Sequence, residues 1–94
     1  MSNASLSARV RISEDAVFRE LDGESVILNL ATGVYFGLDD VGTRVWQLIE
    51  QHGQLLAVRD AMTREFDVDA DLAARDLVDL VGQMVARGLL EIQP

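Results

Sequence analysis

Two turn signals divide the first third of the chain and constrain its fold more than any other feature. Asp22-Gly23 supplies the positive φ angles that a two-residue hairpin turn demands. Ala31-Thr32-Gly33 supplies a second reversal. Between and beside them stand Val17 to Leu21, Ser25 to Leu30 and Val34 to Leu38, short stretches rich in β-branched and aliphatic residues. Strands joined by connections this short run antiparallel, so the spacing predicts a three-stranded β-meander. Ahead of it, Ala8 to Ile12 alternates in part and reads as a short strand or an extended arm.

Helical periodicity takes over after the meander. Asp39-Asp40 stands where an N-cap is wanted, with carboxylates able to accept the orphan N–H groups of a first turn. Val41, Val45, Trp46, Leu48 and Ile49 then form an apolar stripe that Gln51-His52-Gly53 closes, with Gly53 as the C-cap. Leu55, Leu56, Val58, Ala61, Met62 and Phe66 give a second amphipathic helix. Residues 67–71 form a polar connector leading to another cap. The third helix is the longest, from about Asp71 to Arg87, with Leu77, Val81 and Met84 near the centre of its core face. Gly88 stops it, and Leu89 to Ile92 returns as a short terminal strand. The expected class is α+β: a meander, three helices placed as in a winged helix-turn-helix domain, and a terminal strand. Trp46 and Phe66 are expected in the core and Gly33 in its turn. Residues 8–94 are expected to form one domain. Residues 1–7 are expected to be a disordered N-terminus, with Met1-Ser2-Asn3-Ala4 an expression remnant.

Composition narrows the function. The 94 residues include no cysteine, which excludes disulfides, thiolate metal sites and thiol catalysis. Sixteen acidic side chains against eight basic ones give a formal charge of −8. Nucleic-acid binding needs clustered cations on phosphates, and here all eight are dispersed arginines. An acidic surface suits a basic or neutral partner, and it also keeps a small protein soluble. No apolar run approaches the roughly 18 residues that span a bilayer, and no signal peptide opens the chain. A cytoplasmic protein without a membrane or nucleic-acid partner is the expectation.

Catalytic chemistry finds little support. His52 is the single histidine, and beside Gly53 it reads as a favourable charge at a helix end. Asp67, Asp69 and Asp71 alternate like the start of a calcium loop, but Leu72 stands where Gly is required and Val78 where Glu is required. They suit a solvated connector that caps the third helix. Phosphate-binding glycine loops are missing, and without lysine neither an imine nor a P-loop can form. The carboxylate pairs Asp39-Asp40 and Asp76 with Asp79 read as wet helix faces. No enzyme activity, cofactor or metal is expected.

The edge of the meander is what remains. Natural edge strands are usually blunted by charge, proline or a bulge, and Val34-Tyr35-Phe36-Gly37-Leu38 carries neither charge nor proline. Tyr35 and Phe36 are adjacent and so point to opposite faces. The residues alone leave two readings level: both rings are core, covered through twist and helix packing, or one is exposed on an edge that accepts an extended peptide as an added strand.

Here the sequence resembles a known family. Leu28-Asn29-Leu30-Ala31-Thr32-Gly33-Val34-Tyr35-Phe36-Gly37-Leu38-Asp39, with Gly42-Thr43-Arg44-Val45-Trp46 downstream, looks like the signature of PqqD-like proteins. Asp76 to Val81, Met84 and Gly88-Leu89-Leu90 are similar to that family's last helix and terminus. The resemblance covers roughly residues 17 to 92. It implies a recognition element that holds the leader of a ribosomally made precursor peptide, without catalysis, as a strand added to the third strand of the meander, in the groove made with the third helix. The Asn29 to Phe36 stretch looks more like members serving lasso-peptide synthesis, beside a leader peptidase and a cyclase. The alternative is a chaperone for a radical-SAM enzyme in pyrroloquinoline quinone synthesis, and a winged-helix DNA-binding regulator stands further off. Carried over, the peptide-binding strand is Val34, Tyr35, Phe36 and Gly37 to Leu38. Helical phase adds Leu72, Asp76, Asp79, Leu80 and Gln83 from one flank of the third helix, with Arg75 as the charged contact from the other. The same edge could also pair two copies of the chain.

Overall fold

Asp22 at φ 56° and Gly23 at φ 82° form the expected left-handed pair between the first two strands of the meander. A computed structural model describes residues 6–93, so the expected expression remnant lies outside the described residues. The elements are β1 (Arg9–Ile12), β2 (Ala16–Leu21), β3 (Glu24–Asn29), β4 (Tyr35–Leu38), α1 (Asp40–His52), α2 (Leu55–Glu65), α3 (Ala70–Ala86) and β5 (Leu90–Gln93). The meander is β2-β3-β4 with β3 central. Its register runs from Ala16↔Asn29 to Leu21↔Glu24 on one side and from Ser25↔Leu38 to Leu28↔Tyr35 on the other.

The ends of the chain pair with each other. β1 is the stretch left open between strand and arm, and it forms a separate two-stranded antiparallel sheet with β5, from Arg9↔Gln93 to Ile12↔Leu90. This pairing decides what happens to the meander: the terminal strand is committed to β1 and does not cover β4.

Caps place the helices. Asp39 Oδ1 accepts from Gly42 N at 2.8 Å, and Gly53 at φ 71° returns its N–H to Ile49 O at 2.9 Å. For α3 the cap is Asp69, which accepts from the N–H groups of Asp71 and Leu72 at 3.1 Å each. The helix therefore begins at Ala70 and ends at Ala86, one residue before the sequence boundaries at each end. Asp71 takes the first turn, where its charge complements the dipole.

The core lies between the inner face of the meander and the helices. Trp46 is 1% exposed and stacks on Phe18, with centroids 6.0 Å apart and planes at 14°. Ile27 of β3, Leu48 of α1, Leu55 of α2 and Leu77, Val81 and Met84 of α3 are buried with it. Each full burial of this kind contributes about 1.5–3 kcal/mol. Ser25 and Thr43 bring the only hydroxyl pair into this interior among the described residues, bonded to each other at 2.7 Å between β3 and α1. Phe66 departs from expectation. It is the C-cap of α2, with extended backbone, and it packs half-buried at the rim of the core.

Candidate functional site: an open strand edge beside an apolar groove

Backbone alternation shows what β4 offers. Asn29 N donates to Val34 O at 2.8 Å, and the register keeps the same sum of residue numbers along the pair. Phe36 and Leu38 therefore direct their N–H and C=O groups to β3, and Val34 directs its C=O there. In an antiparallel ladder the intervening residues direct theirs the other way. The N–H and C=O of Tyr35 and Gly37 consequently point out of the sheet, at an edge that no described strand occupies. The opposite edge, on β2, carries Arg19 and Glu20, the charges that usually blunt such a strand.

Side chains sort by the same alternation. Leu38 is buried and Phe36 is partly buried on the inner face, whereas Tyr35 is 71% exposed on the outer face. The level choice left by the sequence is thus settled for the rings: one packs inward and one is open. Val34 is not part of the strand. Its N–H is drawn to Thr32 Oγ1 at 3.2 Å, which keeps it in the turn, 44% exposed.

Beside β4 runs a groove of about 640 Å³, within the range of ligand sites. One wall is Phe36, Gly37 and Leu38. The facing wall is α3, through Ala73, Asp76, Leu77 and Leu80. Val41 and Val45 of α1 and Met62, Phe66 and Val68 complete the lining. The lining is almost wholly apolar. Its charged members are Asp39 and Asp76, and Asp39 is committed to its cap. Asp76 is left as the one carboxylate in the lining without such a duty. At the far end, the Arg87 guanidinium lies over the Phe36 ring, 4.8 Å from its centroid, in cation–π contact.

Of the residues expected to bind peptide, Phe36, Gly37, Asp76 and Leu80 line this groove, and Tyr35 presents its backbone at the adjoining edge. Leu72 stands 41% exposed at the start of α3 and is not in the lining. Arg75, Asp79 and Gln83 line a separate shallow depression with Val78 and Gly82. The reason is helical phase. At 100° per residue, Ala73, Leu80 and Asp76 fall roughly 40°, 60° and 100° to one side of Leu77, while Arg75 and Asp79 each fall roughly 160° from it, near the opposite face. Gln83 is nearer the groove in phase, but its Nε2 donates to Asp79 Oδ2 at 3.1 Å, which turns it toward the solvent face.

Sequence reasoning missed the contribution of α1 and α2. Val41 reads from sequence as part of the first helix's apolar stripe, yet it stands 42% exposed in the groove lining. Val68 was hidden in a connector read as polar, although it is the apolar residue between Asp67 and Asp69. Arg87 left no signal. Among the described residues, no group of acidic or histidine side chains converges as a metal site would require, and no helix is long and apolar enough to cross a membrane.

The family model of coenzyme PQQ synthesis protein D (PqqD) matches residues 24–90. The chain is similar to TbiB1, solved in complex with the TbiA(beta) leader peptide: 41% identity, 86% of this chain and 94% of that one covered, TM-score 0.82. It shares its fold with a lasso peptide synthetase B1 solved with the leader peptide, at 24% identity, with 93% and 100% of the two chains covered and a TM-score of 0.78. Among curated proteins none matches.

Proposed function

The chain belongs to the PqqD family, and from that premise we propose that it is a non-catalytic carrier that binds the leader of a ribosomally made precursor peptide. The leader pairs with the free edge of β4 and presents alternate side chains to the groove against α3. The observation that carries this reading is the conjunction of an open, uncharged strand edge with an apolar groove directly beside it. Its 41% identical relative TbiB1 is known in complex with a leader peptide.

Magnitudes assign the roles. Tyr35 and Gly37 can exchange up to four main-chain hydrogen bonds with an added strand, each worth about 1 kcal/mol net. Association alone costs an estimated 4–15 kcal/mol. The edge therefore cannot hold a peptide unaided, and the groove must supply the rest. Two aliphatic or aromatic leader side chains seated against Phe36, Leu77 and Leu80 contribute about 1.5–3 kcal/mol each. Main chain fixes the register, and the groove selects the sequence. Asp76 favours a basic or hydrogen-bond-donating leader residue over an acidic one.

A bound leader raises the local concentration of its precursor at an enzyme that also holds the carrier. We assign as such enzymes the leader peptidase and the cyclase of lasso-peptide synthesis, in the cytoplasm, on the Asn29 to Phe36 stretch. The PqqD description favours a second reading, in which the same groove serves a radical-SAM enzyme. Regulation of DNA fits poorly, because α3 presents Asp71, Asp76 and Asp79 where a recognition helix needs cations.

The test is fluorescence anisotropy with labelled leaders: TbiA(beta), and the leader of any short precursor reading frame found beside the gene. The expected result is saturable binding by the wild type and loss of it in Leu80→Glu with the circular dichroism spectrum retained. Binding that is indifferent to Leu80→Glu removes the groove from the account. No binding of either leader removes the function.

A further inference from the structure

Asn29 is 4% exposed and all of its amide is engaged. Its Oδ1 accepts from Ala31 N at 2.9 Å and Thr32 N at 3.3 Å, which shapes the turn leading into β4. Its Nδ2 reaches across the fold to the end of α3, donating to Arg87 O at 3.0 Å and, at the long limit, to Gly88 O at 3.4 Å. The reverse amide orientation would set the NH₂ group against two N–H donors, so the network fixes this one. Gly88 leaves the space that the amide fills: a Cβ there would come within 2.9 Å of Nδ2. Asn29, the last residue of β3, thus ties the turn that leads into β4 to the C-terminal end of α3, at the end of the groove where Arg87 lies over Phe36.

We propose that Asn29 is a positioning residue for leader binding, a clamp that sets the separation of β4 from α3 before a peptide arrives. The proposal rests on the leader-binding reading above. Below the groove the walls share the core through Leu38 and Leu77, and at its end this clamp and the Arg87–Phe36 contact tie them. A peptide that must touch both walls loses affinity if it also has to bring them into place, because the ordering cost is then charged to binding. Asn29 has no direct contact with the leader in this account; it acts through the placement of Phe36 and Leu80.

Asn29→Ser separates the two duties. A serine hydroxyl can still accept from the N–H groups of the turn, but it is too short to reach Arg87 O. Affinity for the TbiA(beta) leader peptide is measured by calorimetry well below the melting temperature, with Val58→Ala as a control. Val58 is fully buried in α2 and outside the groove. The clamp predicts that Asn29→Ser weakens binding by about tenfold, while Val58→Ala lowers the melting temperature and leaves affinity unchanged. Asn29→Asp, which keeps the oxygen that accepts from both turn N–H groups and sets the other carboxylate oxygen against the Arg87 carbonyl, should weaken binding at least as much. Should either Asn29 variant fail to fold, the other carries the test. Wild-type affinity in a folded Asn29 variant, or an equal loss in Val58→Ala, overturns the clamp and leaves leader binding standing. A wild-type protein that binds no leader overturns the functional reading and the clamp together.

Discussion

Gly37 places its backbone N–H on the outside of β4, and a single substitution can remove that donor while sparing the ladder. Proline is tolerated on an edge strand where its missing N–H would have faced solvent. Gly37→Pro is therefore expected to keep a melting temperature close to wild type, because Phe36 and Leu38 still bond to β3. Leader affinity should fall about tenfold, the loss of one main-chain hydrogen bond with its neighbour misaligned. Calorimetric titration beside a thermal melt checks both halves. At this scale the sequence was most legible where chemistry is local. The Asp22-Gly23 turn, the Asp39 cap and the Gly53 and Gly88 stops each depend on one residue's φ angle or one short side chain, and each stands where expected. Arg75, Asp79 and Gln83 were less legible. Helical phase separates inside from outside, but only the positions of β4, α1 and α2 determine which oblique flank borders the groove.

Elements hold the groove open from its sides. α1 and α2 are tied near its rim by Arg44 and Glu65, with Nε–Oε1 at 2.7 Å and Nη2–Oε2 at 2.8 Å, a two-pronged pair. Hydrogen bonds from Arg44 and then its charge, opposed by partial burial, hold the Glu65 carboxyl below its ordinary value of 4.5. A carboxyl lowered in the folded state adds stability that is present above the unfolded value and is lost as pH falls through the folded one. The gap in melting temperature between wild type and Glu65→Gln should therefore be widest at pH 7 and shrink toward pH 3. It should also narrow in high salt, since the pair is about one-third exposed. A gap that is constant with pH would assign Glu65 no ionic role. The β1–β5 sheet illustrates the limit of reading elements from sequence. Periodicity identified a strand-like stretch at each end of the chain, but nothing local states that Arg9 meets Gln93. That long-range pairing is what releases β4 from cover.

The whole molecule has two distinct ends of one site, a main-chain edge and a side-chain groove, built by chain segments far apart in sequence. The meander and its edge were legible early because three strands and two turns are contiguous. Half of the groove was not, because Val41, Met62, Phe66 and Val68 converge only after three helices have packed. The central claim is that the leader adds to β4 and to no other edge, and amide hydrogen exchange reads it directly. In the free protein the Phe36 and Leu38 amides are bonded to β3 and should exchange slowly, whereas those of Tyr35 and Gly37 should exchange fast. Saturating leader peptide is predicted to protect Tyr35 and Gly37 selectively, leaving the outward amides of β2, at Phe18 and Glu20, unchanged. Protection at β2, or leader binding with Tyr35 and Gly37 still exchanging fast, would contradict it.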